Sequence, residues 1–154
     1  MNRIYQVVNF PVNQETLSLQ ETIFHNANGY LGVRGTLEEG LPAGMDTMRG
    51  TYLNGFYDMA PMKQAELLCN LVEDKEALIN VADAQSIECF FGDCRFSLFE
   101  GQSRNLRRWL DMSEGITGRS LIWQSPAGGE VFLDIRRMAS FAEKRQSPQK
   151  HSIL

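Results

Sequence analysis

At 154 residues the chain is long enough to enclose one sizeable core, and its 43% apolar and 22% charged residues exclude wholesale disorder. A net charge of −4 argues against a nucleic-acid partner, which calls for a basic excess on one face. No run reaches the ~18 consecutive apolar residues of a membrane span, and residues 1–6 lack the apolar core of a signal peptide, so a cytoplasmic protein without membrane contact is expected.

Strand-forming segments dominate in chain order. Residues 29–36 and 51–57 are rich in Tyr, Leu, Val and Phe and read as two strands. Residues 62–74 offer the best helix, with Leu67, Leu68 and Leu71 on one side. Residues 86–91 and 94–98 flank Gly92 and Asp93, a two-residue hairpin signal, because glycine reaches the positive φ that such turns need. Pairing Phe91 with Cys94 puts Ile87, Cys89, Phe91, Cys94, Phe96 and Leu98 on one face. Glu88, Phe90, Arg95 and Ser97 then share the other, and a one-residue slip destroys this sorting.

In that register Cys89 and Cys94 are diagonal neighbours, with roughly 7 Å between their Cβ atoms. A disulfide needs about 4 Å, so both are expected to be free, shielded thiols. Neither these nor Cys69, His25 and His151 show metal-ligand spacing, and no metal site is expected. Residues 105–112, 116–123 and 130–139 continue the meander, with Gly115, Gly128 and Gly129 at its turns. The expected fold class is mainly β, an antiparallel β-sandwich with little helix. Past Phe141 the alternation stops, and the tail is expected to fray.

The most distinctive run holds Asn28, Gly29, Tyr30, Leu31, Gly32, Val33, Arg34 and Gly35, followed by Glu38 and Glu39. It resembles the opening signature of glycoside hydrolase family 65, Gly-Asn-Gly-Tyr-Leu-Gly-x-Arg-Gly with acidic residues after it. Ala27 stands where the family has the first glycine. Gly50, Thr51, Tyr52, Asn54, Gly55 and Phe56 are similar to the family's Gly-Thr-Tyr-x-Asn-Gly-Phe block. Two weaker blocks follow in order: residues 78–83, lacking the family's proline, and residues 106–112 with Thr117, Arg119 and Ser120.

The resemblance implies that residues 1–141 are part of the family's amino-terminal β-sandwich (super-β-sandwich type), with residues 142–154 a polar tail outside it. The catalytic α/α barrel is then absent and the sandwich incomplete. Ile87, Phe91, Phe96 and Leu98 are expected among the surface left uncovered, and a homodimer is one expected consequence. The implied parent acts on α-glucosidic disaccharides such as maltose, trehalose, kojibiose or nigerose. It is a phosphorylase or hydrolase, with inorganic phosphate as co-substrate in the former case and no other cofactor. Its acid glutamate lies in the barrel, so no catalytic residue is expected here. The alternative is a freestanding β-sandwich that binds carbohydrate or protein without catalysis.

Asn28, Gly29, Tyr30, Gly32, Arg34, Gly35 and Asn54 are the candidate interface or structural residues. Glycines at every third position cannot share one face of a strand, so they mark turns or close packing. Arg34 is expected to pin a turn in its own domain rather than to bridge to a carboxylate across a domain interface. Glu38 and Glu39 are adjacent, which makes a poor catalytic pair on a strand, and a solvated turn is expected. Arg104, Arg107 and Arg108 read as a solvated edge. Trp109 and Trp123 read as core rather than as a sugar-stacking platform.

Overall fold

The computed structural model describes residues 4–62, 72–83, 85–143 and 149–153. Strand Ile4–Val8 (β1) is followed by helix Gln14–Ile23 (α1), the short strands Asn26–Ala27 (β2) and Leu31–Val33 (β3), and the long Thr51–Pro61 (β4). Then come Asp74–Asn80 (β5), the pair Phe90–Phe91 (β6) and Cys94–Arg95 (β7), Gln102–Asp111 (β8), Ile116–Gln124 (β9), Glu130–Met138 (β10) and Gln149–Ile153 (β11). Pairing is antiparallel throughout. One sheet runs β1-β8-β9-β10-β11, a second β2-β3-β4-β5, and β6-β7 stand as a separate hairpin. This is the expected antiparallel β-sandwich.

The hairpin forms in the expected register, Phe91 opposite Cys94 and Phe90 opposite Arg95. Phe96 N–H donates to the Cys89 carbonyl at 2.8 Å, and Gly92 turns the chain at φ +61°. Phe96 is buried against Leu106, Leu121, Trp123 and Leu133, with Cys89, Phe91, Cys94 and Leu98 packed around it. Its ring meets Trp123 edge-on at 5.4 Å. The expectation that this face loses its cover is therefore corrected: the inner face of the five-stranded sheet covers it. Cys89 and Cys94 are free. Burial, reinforced by the charges of Glu39 and Glu38, pushes the Cys89 thiol up from its ordinary range.

Helix α1 is not foreseen from the sequence, for a physical reason. Its buried residues are Leu17, Gln20 and Glu21, so its inward face is largely polar and gives no apolar stripe. Its start is well specified, since the Asn13 side chain accepts from Thr16 N–H at 3.0 Å. Of the expected helix at 62–74, residues 63–71, and with them Cys69, lie outside the described residues. At its borders Met62 N–H donates to Glu73 at 2.8 Å and Asp74 opens β5. The tail expected to fray carries β11, which pairs with β10 from Leu133 opposite Ile153 to Arg137 opposite Gln149.

Candidate functional site

The glycine-rich run builds two things at once, an outer surface and a buried charge network. Its first turn rests on Asn28, whose side-chain oxygen accepts from Tyr30 N–H at 3.0 Å and Leu31 N–H at 2.8 Å. The Asn28 amide donates to the Ser140 carbonyl at 2.7 Å, tying this turn to the residues after β10. Gly29 sits at φ +83° in that turn, where a side chain would be strained. Strand β3 ends at Val33 because Gly35 presses on the end of α1. A Cβ on Gly35 would lie 2.6 Å from the Phe24 carbonyl carbon, and Gly35 N–H donates to the Glu21 carbonyl at 2.9 Å.

Arg34 donates to the Thr22 hydroxyl at 3.0 Å and approaches the Met48 sulfur at 3.8 Å. Its partners are thus within its own domain. Beyond it, Thr36, Leu37, Glu38 and Glu39 are all buried. The expected solvated turn at Glu38 and Glu39 is corrected. The chain there is not a strand, so adjacent side chains are free to converge, and both meet Arg119 on the inner face of β9. Arg119 holds Glu39 in a fork, at 2.7 and 2.5 Å, and reaches Glu38 at 2.8 Å. Arg137 of β10 bonds Glu38 at 3.0 Å, Gln85 at 2.7 Å and the Thr36 carbonyl at 3.0 Å.

Arg108 needs a second correction. It is 3% exposed, not part of a solvated edge, because β8 lies between β1 and β9 in the sheet. Alternation sends Arg107 outward and Arg108 inward, onto the Phe24 ring at 4.7 Å. Arg104 does remain outside, paired with Glu130.

These charges settle what the acids can do. Burial alone pushes the Glu38 carboxyl up, but Arg137, Arg119 and Arg108 together outweigh it and hold the group at about 2. Glu38 therefore has no proton to donate at neutral pH, which rules it out as a general acid. It also makes stability acid-sensitive. The unfolded chain takes up this proton near its ordinary value of 4.5 and the folded chain only near 2. The stabilisation is complete above about pH 4.5 and is lost as pH falls towards about 2, on the order of 3 kcal/mol in all. Urea unfolding at about pH 6 and about pH 3 measures it. Glu38→Gln should flatten the difference, and equal stability of the parent chain at both values would contradict it.

Trp123 is core, fully buried, with its indole N–H donating to the Glu100 carbonyl at 2.8 Å. Trp109 is half-buried on the outer face. It lies across Gly118, where any Cβ would strike its ring, and the Arg136 guanidinium sits 5.8 Å from the ring centre.

On the surface, Gly29, Tyr30, Gly32, Tyr52, Asn54 and Tyr57 line a shallow groove of about 220 Å³. Gly32 and Tyr52 also border a second groove of about 270 Å³, lined further by Thr22, His25 and Arg34. The two adjoin at Gly32 and Tyr52 and are called the trough. Asn54 shapes it by donating its backbone N–H to the Tyr30 carbonyl at 2.7 Å and its amide to the Gly29 carbonyl at 3.3 Å. Gly29, Tyr30, Gly32, Arg34 and Asn54 thus come together on one surface, while Asn28 and Gly35 stand behind it as supports. At the edge of the trough the β4-β5 arm sets Tyr57 opposite Leu78, both lining the groove, with Met59 beyond them on the same face, all exposed. Sequence reasoning missed Glu38, Glu39, Arg108, Arg119 and Arg137 as one network. A signal existed: Arg119 and Arg137 occupy the same strand phase as Leu121 and Ile135, so apolar alternation places them inside.

The family model described as "Glycosyl hydrolase family 65, N-terminal domain" matches residues 8–153, a span that includes most of the tail beyond Phe141. An α,α-trehalose phosphorylase of Geobacillus stearothermophilus is 40% identical over 144 residues, covering 92% of this chain and 19% of the relative. A kojibiose phosphorylase of Halothermothrix orenii is 32% identical over 142 residues, covering 92% of this chain and 16% of the relative. A solved structure from the human microbiome, assigned as a kojibiose phosphorylase, superposes with a TM-score of 0.79 at 22% identity, over 97% of this chain and 19% of that one. The chain spans under a fifth of the length of these relatives. It belongs to glycosyl hydrolase family 65 and corresponds to that family's amino-terminal domain.

Proposed function

We propose that this chain is the non-catalytic amino-terminal portion of a phosphorylase of α-glucosidic disaccharides. Its role is to support a catalytic α/α barrel that the chain itself does not contain. Inorganic phosphate is the co-substrate of the whole enzyme. The carrying observation is the state of Glu38 and Glu39: the signature's acid pair is buried and locked onto Arg119 and Arg137, a structural use that does not suit either of them to glycoside cleavage. Likeness to trehalose and kojibiose phosphorylases supports the substrate class. The trough, with its arm of exposed Tyr57, Met59 and Leu78, is the surface on which the barrel would rest.

A chimera tests this directly. The chain replaces the matching amino-terminal portion of the Geobacillus trehalose phosphorylase. The chimera should be soluble and phosphorolyse trehalose, whereas the chain alone should turn over no α-glucoside. Turnover by the purified chain alone, abolished by changing one of its own carboxylates, would overturn the reading. The three tyrosines of the trough, with Asn54, suit a sugar face as well. If the isolated chain binds maltose or trehalose calorimetrically and Tyr57→Ala abolishes the heat, the freestanding carbohydrate-binding reading replaces this one.

A further inference from the structure

Arg108, Arg119 and Arg137 are all buried, and so are Glu38 and Glu39. Three guanidiniums face two carboxylates, which leaves one positive charge beyond what these acids neutralise. Arg119 and Arg137 are in ion pairs. Arg108 has neutral acceptors, the Gln20 side chain at 3.2 Å and the Gly35 carbonyl at 2.5 Å. A third buried acid, Glu21, is engaged elsewhere, by the Thr47 hydroxyl at 2.5 Å and Met48 N–H at 2.9 Å. Burying a charge without a counter-charge is strongly unfavourable, and such sites are normally neutralised.

The same three arginines line one small, largely enclosed cavity of about 10 Å³, together with Glu38, Thr117, Gly118 and Ile135. That volume suits a single water-sized species. Arg119, one of the lining residues, also has its Nε–H buried without an acceptor. Charge and space therefore coincide, and one of the lining arginines carries an unused donor. We propose that this cavity binds one small monovalent anion of the halide class, chloride in the cell, held by the guanidiniums of Arg108, Arg119 and Arg137.

The Glu38 carboxylate at the cavity repels an anion, but three guanidiniums line the same cavity, and two of them, Arg137 and Arg119, already pair with the Glu38 oxygens. Burial, and then the neighbouring charge of Arg137, hold Arg108 down to about 9. An anion at this point relieves that repulsion. Chloride is somewhat larger than water, and four of the seven lining residues, Glu38, Arg108, Arg119 and Arg137, have long side chains. Sulfate and phosphate are too large, so the site is distinct in chemistry from any phosphate subsite of the parent enzyme.

The test compares thermal unfolding of the full chain in sodium chloride and in sodium gluconate at matched, low ionic strength. Chloride should raise the midpoint saturably, with the folding constant increasing about a hundredfold at a concentration a hundred times the dissociation constant. Bromide should substitute and give anomalous density in the cavity of soaked crystals, while sulfate should not. Arg108→Met makes the network neutral at similar volume and should abolish the chloride effect; Arg108→Lys should keep it. Identical midpoints in both salts, with no bromide in the cavity, would mean that the cavity takes water only and would overturn the proposal. If Arg108→Met does not fold, the chloride titration and bromide density of the parent chain decide.

Discussion

Arg119→Met is expected to unfold the chain, or to bring it to the edge of unfolding, at room temperature. The change removes both charge-assisted bonds to Glu39 and one to Glu38. All three residues are buried, so Glu39 is left without its cation in a medium that cannot solvate it, while Glu38 keeps only Arg137. Breaking a buried ion pair by deleting one partner costs about 3–5 kcal/mol, against a total stability of about 5–15 kcal/mol for a domain. Burial works against the Arg119 cation, yet Glu39 and Glu38 more than compensate and raise its affinity for the proton. Loss of the far-ultraviolet β-signal, or a large fall in the urea midpoint, is the expected reading. Replacing Arg119 and Glu39 together by apolar residues should recover much of the loss, because Glu38 keeps its ion pair with Arg137 and no buried carboxylate is left without a cation. A single variant as stable as the parent would show that the network contributes little.

The strands from residue 102 to 138 are legible because their apolar residues alternate and glycines mark their turns. The hairpin is legible to the single residue, since only one register sorts its side chains. What hides the rest is polarity. Buried polar and charged side chains are as prominent here as buried apolar ones, and hydrophobic periodicity cannot see them. Helix α1 turns Gln20 and Glu21 inward, and Arg108 sits inside a strand whose neighbours Arg104 and Arg107 face water. Adjacent charges such as Glu38 and Glu39 read as surface unless their partners are known. Those partners, Arg119 and Arg137, lie 80 residues or more away along the chain. The candidate site is legible in its supports: the positive φ of Gly29 and the close approach at Gly35 are what spaced glycines foretell. The trough is not, because it depends on where β4 places Tyr52, Asn54 and Tyr57 beside the signature.

Trp123→Ala should be about as costly as the loss of Arg119, through packing rather than charge. The Trp123 side chain is fully buried at the centre of the apolar core. Phe91 and Phe96 contact its ring at centroid distances of 5.8 and 5.4 Å. Truncating a buried aromatic residue to alanine costs about 3–5 kcal/mol, part of it for the cavity left behind. Trp123→Phe separates the two contributions. Phenylalanine keeps most of the apolar contact but cannot donate to the Glu100 carbonyl, which Trp123 reaches at 2.8 Å. That variant should lose only about 1–2 kcal/mol, the range of one hydrogen bond plus a modest change in volume. Urea unfolding of both variants, followed by circular dichroism because Trp109 confuses fluorescence, gives the comparison. The hairpin should loosen first in Trp123→Ala, since Cys89, Phe91, Cys94 and Phe96 all pack on this cluster. Both thiols should then react with a thiol reagent well before the five-stranded sheet unfolds. If instead they stay shielded until global unfolding, Trp123 is not what seats the hairpin on the sheet.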